Sequence, residues 1–207
     1  MIDYSLYLVT DESFPAGRLL EIVEQAVKSG VTVVQLREKS TSGKTMYEKA
    51  VRLKEMLSRY RIPLIINDRI DLALAVDADG VHIGQDDLPL PAVKKIVPEH
   101  MIVGVSARTP EEAVEAERNG ADYIGAGSVF PTGSKPDAVI MSENTLEKIA
   151  AAVTIPVVAI GGITADRIRL LPDRCLAGVA VVSAIMKAGN PGDAVRTFRT
   201  QLKNKLV

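Results

Sequence analysis

The sequence predicts a single (β/α)8 TIM barrel, and three observations carry that prediction. Eight short, β-branched segments alternate with eight helical patterns along the chain. Most of the strand segments are apolar on both faces, as strands buried on two sides in a parallel sheet are. Polar motifs stand where several of these segments end, which is where parallel α/β enzymes assemble their sites.

The first strand runs from Leu6 to Thr10. It leads into a helix from Ala16 to Ser29, where Leu19, Leu20, Ile22, Val23, Ala26 and Val27 draw one apolar stripe and Gly30 offers a C-cap. Thr32 to Arg37 is the second strand. A long charged helix, Gly43 to Tyr60, follows with Met46, Ala50, Leu53 and Leu57 as its buried seam. Strands three and four, Pro63 to Asn67 and Gly80 to Ile83, precede shorter helices at Ile70 to Val76 and Pro89 to Val97. After the fifth strand, Met101 to Ser106, Thr109 is an N-cap, Pro110 stands in the first turn, Glu111 and Glu112 are early acids, and Asn119-Gly120 is the stop. Strands six to eight are Tyr123 to Gly127, Pro156 to Gly161 and Gly178 to Ser183, with helices at Ser142 to Ala152, Thr164 to Leu171 and Pro191 to Lys205. An open doubly wound sheet is the alternative. It usually carries a glycine-rich first turn, and here the first strand ends in Val9-Thr10-Asp11-Glu12. The chain reads as one domain over residues 1–207, with no linker or low-complexity tract.

Composition narrows the function classes. With 47% hydrophobic and 25% charged residues, the chain has the profile of an ordinary soluble domain able to bury a full core. A net charge of −1 supplies no field for nucleic acid or an anionic membrane, so an anionic substrate must meet local cations. Aromatics at 4% with no Trp argue against a base-stacking platform. Cys175 is the only cysteine, which rules out an intramolecular disulfide and a thiolate cluster and suits a cytoplasmic setting; it reads as a small buried hydrophobe. No signal peptide or membrane-spanning stretch is evident. The charged outer helices suit a monomer or a modest homo-oligomer.

Four strand-end motifs together look like a diphosphate site. The first is Gln35-Leu36-Arg37-Glu38-Lys39. Alternate residues of a strand share a face, so Gln35, Arg37 and Lys39 would point together into the barrel mouth. Arg presents a fork to phosphate oxygens and Lys a point charge. A surface ion pair of Glu38 is the plainer reading. The second and third motifs, Asn67-Asp68-Arg69 and Gly84-Gln85-Asp86-Asp87, put carboxylates on consecutive strands. Asp68 and Asp87 can share one Mg²⁺, or each can simply favour the start of the helix that follows it. Asp86 is the weaker ligand candidate. The fourth, Pro131-Thr132-Gly133-Ser134-Lys135, offers hydroxyls, a permissive glycine and a cation for phosphate, or else a surface loop. Gly161-Gly162-Ile163 and Val182-Ser183-Ala184, after strands seven and eight, stand where many barrels bind phosphate. Thr41-Ser42-Gly43 and Gly133-Ser134 are candidate lids. His82 reads as a satisfied core histidine before it reads as a catalyst, and His100 as a surface residue.

Taken with Tyr7-Leu8-Val9-Thr10-Asp11, Asp79-Gly80-Val81-His82-Ile83-Gly84-Gln85, Gly104-Val105-Ser106 and Gly120-Ala121-Asp122-Tyr123-Ile124-Gly125, these motifs make the chain resemble the thiamine phosphate synthase family over essentially its whole length. The resemblance implies transfer of a pyrimidinylmethyl group from hydroxymethylpyrimidine diphosphate to thiazole phosphate, with loss of diphosphate first. It implies Mg²⁺ on Asp68 and Asp87. It implies pyrimidine diphosphate contacts from Gln35, Arg37, Lys39, Asn67, Ser106 and Lys135, in a substrate site that also takes in Leu36 and Glu38. Thiazole phosphate would meet Thr132, Gly133, Ser134, Gly161, Gly162, Val182 and Ser183. Arg37, Lys39, Ser106 and Lys135 would serve the chemistry. The chain departs from the family pattern at Arg108, where many members carry His, and at Ser134 in a turn that is usually Thr-x-Thr. A thiazole tautomerase and a non-catalytic precursor-binding barrel are the alternatives. The tautomerase tends to lose the metal acids and keep the histidine, the opposite of what stands here.

Overall fold

The structure, a computed structural model, describes residues 2–134, 139–142, 144–172, 175–203 and 205. Its eight strands are β1 (Leu6–Val9), β2 (Val33–Leu36), β3 (Leu64–Asn67), β4 (Gly80–Ile83), β5 (Ile102–Ala107), β6 (Tyr123–Ala126), β7 (Val157–Ile160) and β8 (Gly178–Val181). All pair in parallel with their sequence neighbours, and β8 closes on β1. The alternation expected of strands buried on both faces divides them cleanly. Tyr7, Val9, Val33, Ile65, Tyr123, Val158 and Ala180 fill the lumen. Leu6, Leu8, Val34, Leu36, Leu64, Ile66 and Val81 join the thicker layer between barrel and helices.

The helices are α1 (Ala16–Ser29), α2 (Gly43–Tyr60), α3 (Ile70–Ala75), α4 (Leu90–Val93), α5 (Pro110–Arg118), α6 (Thr145–Ala152), α7 (Ser183–Met186) and α8 (Pro191–Lys203). Local chemistry sets their ends. Ser42 accepts from the Thr45 amide to start α2, and Thr109 accepts from the Glu112 amide to start α5 behind Pro110. Gly30 closes α1 in a left-handed conformation. The seam Met46, Ala50, Leu53 and Leu57 is buried.

Several boundaries differ from the sequence reading. Residues 165–170 wind as a 3-10 turn. The Pro89 to Val97 pattern yields only one α-helical turn, because Lys95 and Ile96 bond three residues back and tighten the chain before Pro98. The helix expected from Ser142 starts at Thr145, since Asn144 sits in the left-handed region. Ser183 opens α7 and does not end β8, an extra turn that sequence alternation does not show. Cys175 is exposed, in the segment before β8, and is not the small buried hydrophobe expected. No helix among the described residues is long and apolar enough to cross a membrane.

Candidate active site

The parallel register gathers the motifs at one rim. Asn67 lies beside His82, His82 beside Gly104, and Ser106 beside Gly125. Just past β3 the chain turns sharply. Asp68 adopts φ 61°, a left-handed conformation that Asp tolerates better than most residues, while its amide donates to the His82 carbonyl at 2.8 Å. That turn brings the Asp68 carboxylate to Lys39, which pairs with it. Across from it, Asp87 accepts the Gly84 amide at 2.7 Å. Partial burial pushes the Asp87 carboxyl above the ordinary aspartate range, and Asp68 beside it pushes the same way; the Gly84 amide and Lys39 oppose. The two acids therefore repel one another across a gap that a cation would relieve. Asp86 is exposed.

The strand-two motif splits by face as alternation requires. Gln35 enters the lumen and donates to the Tyr7 hydroxyl at 2.9 Å. Arg37 is half-buried and its amide donates to Thr10 Oγ1. Leu36 and Glu38 turn the other way and do not bring their side chains to the mouth. Leu36 is fully buried in the outer core. Glu38 is buried against Lys49, at 2.8 and 3.0 Å, and accepts from Thr41. The loop that follows is further pinned by Glu12, which accepts the amides of Lys39 and Ser40. Candidate lid residues 41–43 are thus tied at their base.

Asn67 is buried, and its Nδ2 is the one buried side-chain polar atom among the described residues without a hydrogen-bond partner. Buried donors are normally satisfied, so this one calls for an acceptor that a bound molecule would supply. Ser106 is half-buried with its hydroxyl 2.9 Å from His82 Nε2. His82 is enclosed, and burial pushes its imidazole down to about 4, so the ring is neutral at physiological pH.

On the other side of the mouth, Thr132 accepts the Ser134 amide, Gly133 is exposed, and Lys135 lies outside the described residues. Gly161 and Gly162 take φ of 105° and 61° and pass so close to Ser128, Phe130 and Pro131 that a β-carbon would not fit. Val182 precedes α7 and Ser183 is exposed at its start. Sequence reasoning missed Tyr7, Thr10, Glu12 and Tyr123 as parts of this site. For Tyr7 and Tyr123 the signal was present as hydroxyl-bearing side chains at inward positions of otherwise apolar strands, whereas Thr10 and Glu12 follow β1 and carried none. A cleft of about 830 Å³ opens at the opposite end of the barrel, among Asp3, Lys54, Arg61, Asp79 and His100. Lys54 and Asp79 are already paired there, and no predicted site residue borders it.

Among the described residues no three metal-binding side chains converge. Two carboxylates suit Mg²⁺, which keeps several waters and takes its other ligands from substrate phosphate. The oxygen-only donors, the repulsion at Asp87 and the cation beside Asp68 fit that ion.

A family model described as thiamine monophosphate synthase matches residues 6–185. A thiamine-phosphate synthase from Methanobrevibacter smithii is 48% identical over 204 residues, 99% of this chain and 98% of that protein. One from Clostridium tetani is 52% identical over 186 residues, 89% of each chain. Among solved structures, thiamine phosphate pyrophosphorylase from Pyrococcus furiosus matches with a TM-score of 0.88 at 41% identity, covering 98% of this chain and 96% of its own. A 3-hexulose-6-phosphate synthase, at TM-score 0.70 and 16% identity over 95% of this chain and 99% of its own, shares the fold alone. With the model spanning most of the barrel and relatives about half identical along it, the chain belongs to the thiamine monophosphate synthase family.

Proposed function

We propose that the chain is a transferase that joins the 4-amino-2-methylpyrimidin-5-ylmethyl group of a diphosphate ester to thiazole phosphate, giving thiamine phosphate and free diphosphate in the cytoplasm. The observation that carries this reading is the apposition of Asp68 and Asp87 beside Lys39 and the unpartnered Asn67 amide. That is an anion-and-cation receptor at the mouth of the barrel.

In this reading Asp68 and Asp87 hold Mg²⁺, which when bound supplies positive charge against the diphosphate oxygens. Arg37 and Lys39 embrace the same leaving group, and Lys135 would join them. The C–O bond to the diphosphate breaks first and its electron pair leaves with that oxygen. The aminopyrimidine ring delocalises the positive charge left on its methylene carbon. The thiazole nitrogen then donates its lone pair to that carbon. No protein nucleophile is needed, so the protein's task is to stabilise growing charge and to keep water from the cation. Thr132, Ser134 and the Gly161-Gly162 backbone would hold the thiazole phosphate, with Val182 and Ser183 closing the same side.

The test is a coupled assay with pyrimidine diphosphate, thiazole phosphate and Mg²⁺, reading thiamine phosphate by its fluorescent oxidation product. Mg²⁺-dependent turnover that collapses in Asp68→Ala and Asp87→Ala supports the reading. Absence of product from folded protein would overturn it, and thiazole tautomer exchange would be measured next.

A further inference from the structure

A row of buried polar groups crosses the lumen from β2 to β5. Gln35 Nε2 donates to the Tyr7 hydroxyl at 2.9 Å. Tyr7 and Tyr123 hydroxyls are 2.8 Å apart. Tyr123 is 2.8 Å from His82 Nδ1, and His82 Nε2 is 2.9 Å from Ser106 Oγ. The surroundings are shaped to hold it. A β-carbon at Gly104 would overlap the Tyr123 ring, and one at Gly125 would lie 2.9 Å from His82 Cε1. Tyr4 packs on Tyr123 with ring centroids 4.9 Å apart. Packing alone does not need this row, since a lumen of aliphatic side chains would fill the same space.

The row has one consistent direction. An amide nitrogen can only donate, so the Tyr7 oxygen accepts from Gln35. Tyr7 then gives its own proton to Tyr123, and Tyr123 gives its proton to His82 Nδ1. With Nδ1 accepting, the ring proton stands on Nε2 and is donated to Ser106 Oγ. The Ser106 proton is left over. A reversed row would need the Gln35 amide flipped and would leave Ser106 donating to His82, with no proton for a ligand.

We propose that Gln35, Tyr7, Tyr123 and His82 form a polarity relay that fixes the Ser106 hydroxyl as a hydrogen-bond donor toward the substrate, with Tyr7 and Tyr123 as positioning residues. The relay also ties the two ends together. Gln35, with one amide hydrogen given to Tyr7, keeps its carbonyl as the acceptor end, while Ser106 offers the donor. The site thereby selects a ring or ester that presents a donor on one side and an acceptor on the other, as an amino-substituted nitrogen heterocycle does. This rests on the transferase reading above for the identity of the substrate, but the direction of the relay is a property of the protein alone.

The experiment combines a spectrum with kinetics. The chain has two histidines, so ¹⁵N-histidine labelling gives two ring patterns, and His100→Gln, at an exposed residue away from the site, assigns them. The expected result is His82 with a protonated Nε2 and a bare Nδ1. In Tyr123→Phe the ring should lose that single pattern and kcat/KM should fall about five- to tenfold, the effect of one hydrogen bond. In a Ser106→Ala background the same substitution should cost nothing further, whereas a merely structural tyrosine would lower activity by the same factor in both. Protonated Nδ1 in the wild-type protein would overturn the proposal, and so would additive losses. Should Tyr123→Phe not fold, Tyr7→Phe enters the same cycle and the wild-type spectrum still decides the direction. A wild-type protein that makes no thiamine phosphate would sink the transferase reading while leaving the spectrum to judge the relay.

Discussion

Removing the positive partner of Glu38 is the perturbation whose size follows most directly from the structure. Glu38 has no side-chain exposure and Lys49 only 7%, with both carboxylate oxygens within 3.0 Å of the ammonium. Lys49→Met keeps the length of the stem, which packs in the seam of α2, and deletes only the charge. It leaves a carboxylate facing protein with no water to solvate it. Breaking such a pair costs about 3–5 kcal/mol. For 207 residues at roughly 2.1 cal/mol/K each, that lowers Tm by about 7–12 °C. Urea unfolding followed by circular dichroism, with Tm alongside, is the assay. Lys49→Met/Glu38→Leu removes both charges and should return to within about 1–2 kcal/mol of the parent. Activity should fall in Lys49→Met as well, because Glu38 stands between Arg37 and Lys39 and sets how both leave β2. A Lys49→Met protein as stable as the parent would refute the argument. So would a Glu38→Ala protein that kept its stability and lost only substrate affinity, for Glu38 would then be a substrate contact and not an anchor.

Asp87 has a pH signature. The Asp87 carboxyl is raised in the folded protein, so the folded state holds that proton more tightly than the unfolded chain. Its contribution to stability is complete below the ordinary aspartate value and is lost as pH rises through the raised one. Asp87→Asn should therefore be more stable than the parent at neutral pH without metal, with the gap closing in acid; Mg²⁺ should raise the Tm of the parent alone, and equal Mg²⁺ responses in both would count against a shared site. Asn67→Ala should lower kcat/KM about tenfold or more with a Tm change of a few degrees at most, since the lost Nδ2 has no partner in the free protein; a large stability loss at unchanged kcat/KM would reverse that reading. Gly104→Ala sets a methyl group against a fully enclosed ring and should cost about 1–3 kcal/mol in urea unfolding; a neutral result would mean the lumen around Tyr123 is looser than its contacts show.

The fold was legible in the sequence because each strand had to be apolar on two faces, and that requirement writes itself as short runs such as Val33-Val34 and Leu64-Ile65-Ile66. The inward turn of Gln35 was legible for the same reason, as a period of two fixes which residues face together. The period also says that Glu38 and Leu36 face the other way. A reading that gathers a whole motif into one site overrides this, and the structure restores it by sending Glu38 to Lys49. Asp68 was visible as an acid at a strand end, but its left-handed turn was not, because nothing in Asn67-Asp68-Arg69 marks that conformation as glycine would. The row from Tyr7 to Ser106 was hidden for a deeper reason. Its five members stand on five different strands, and what joins them is the barrel's closure, which places β1 within reach of β6 across the lumen. Each alone looks like an ordinary core tyrosine or histidine. Only the direction that a single amide nitrogen imposes on the rest turns four buried hydrogen bonds into a statement about the proton on Ser106.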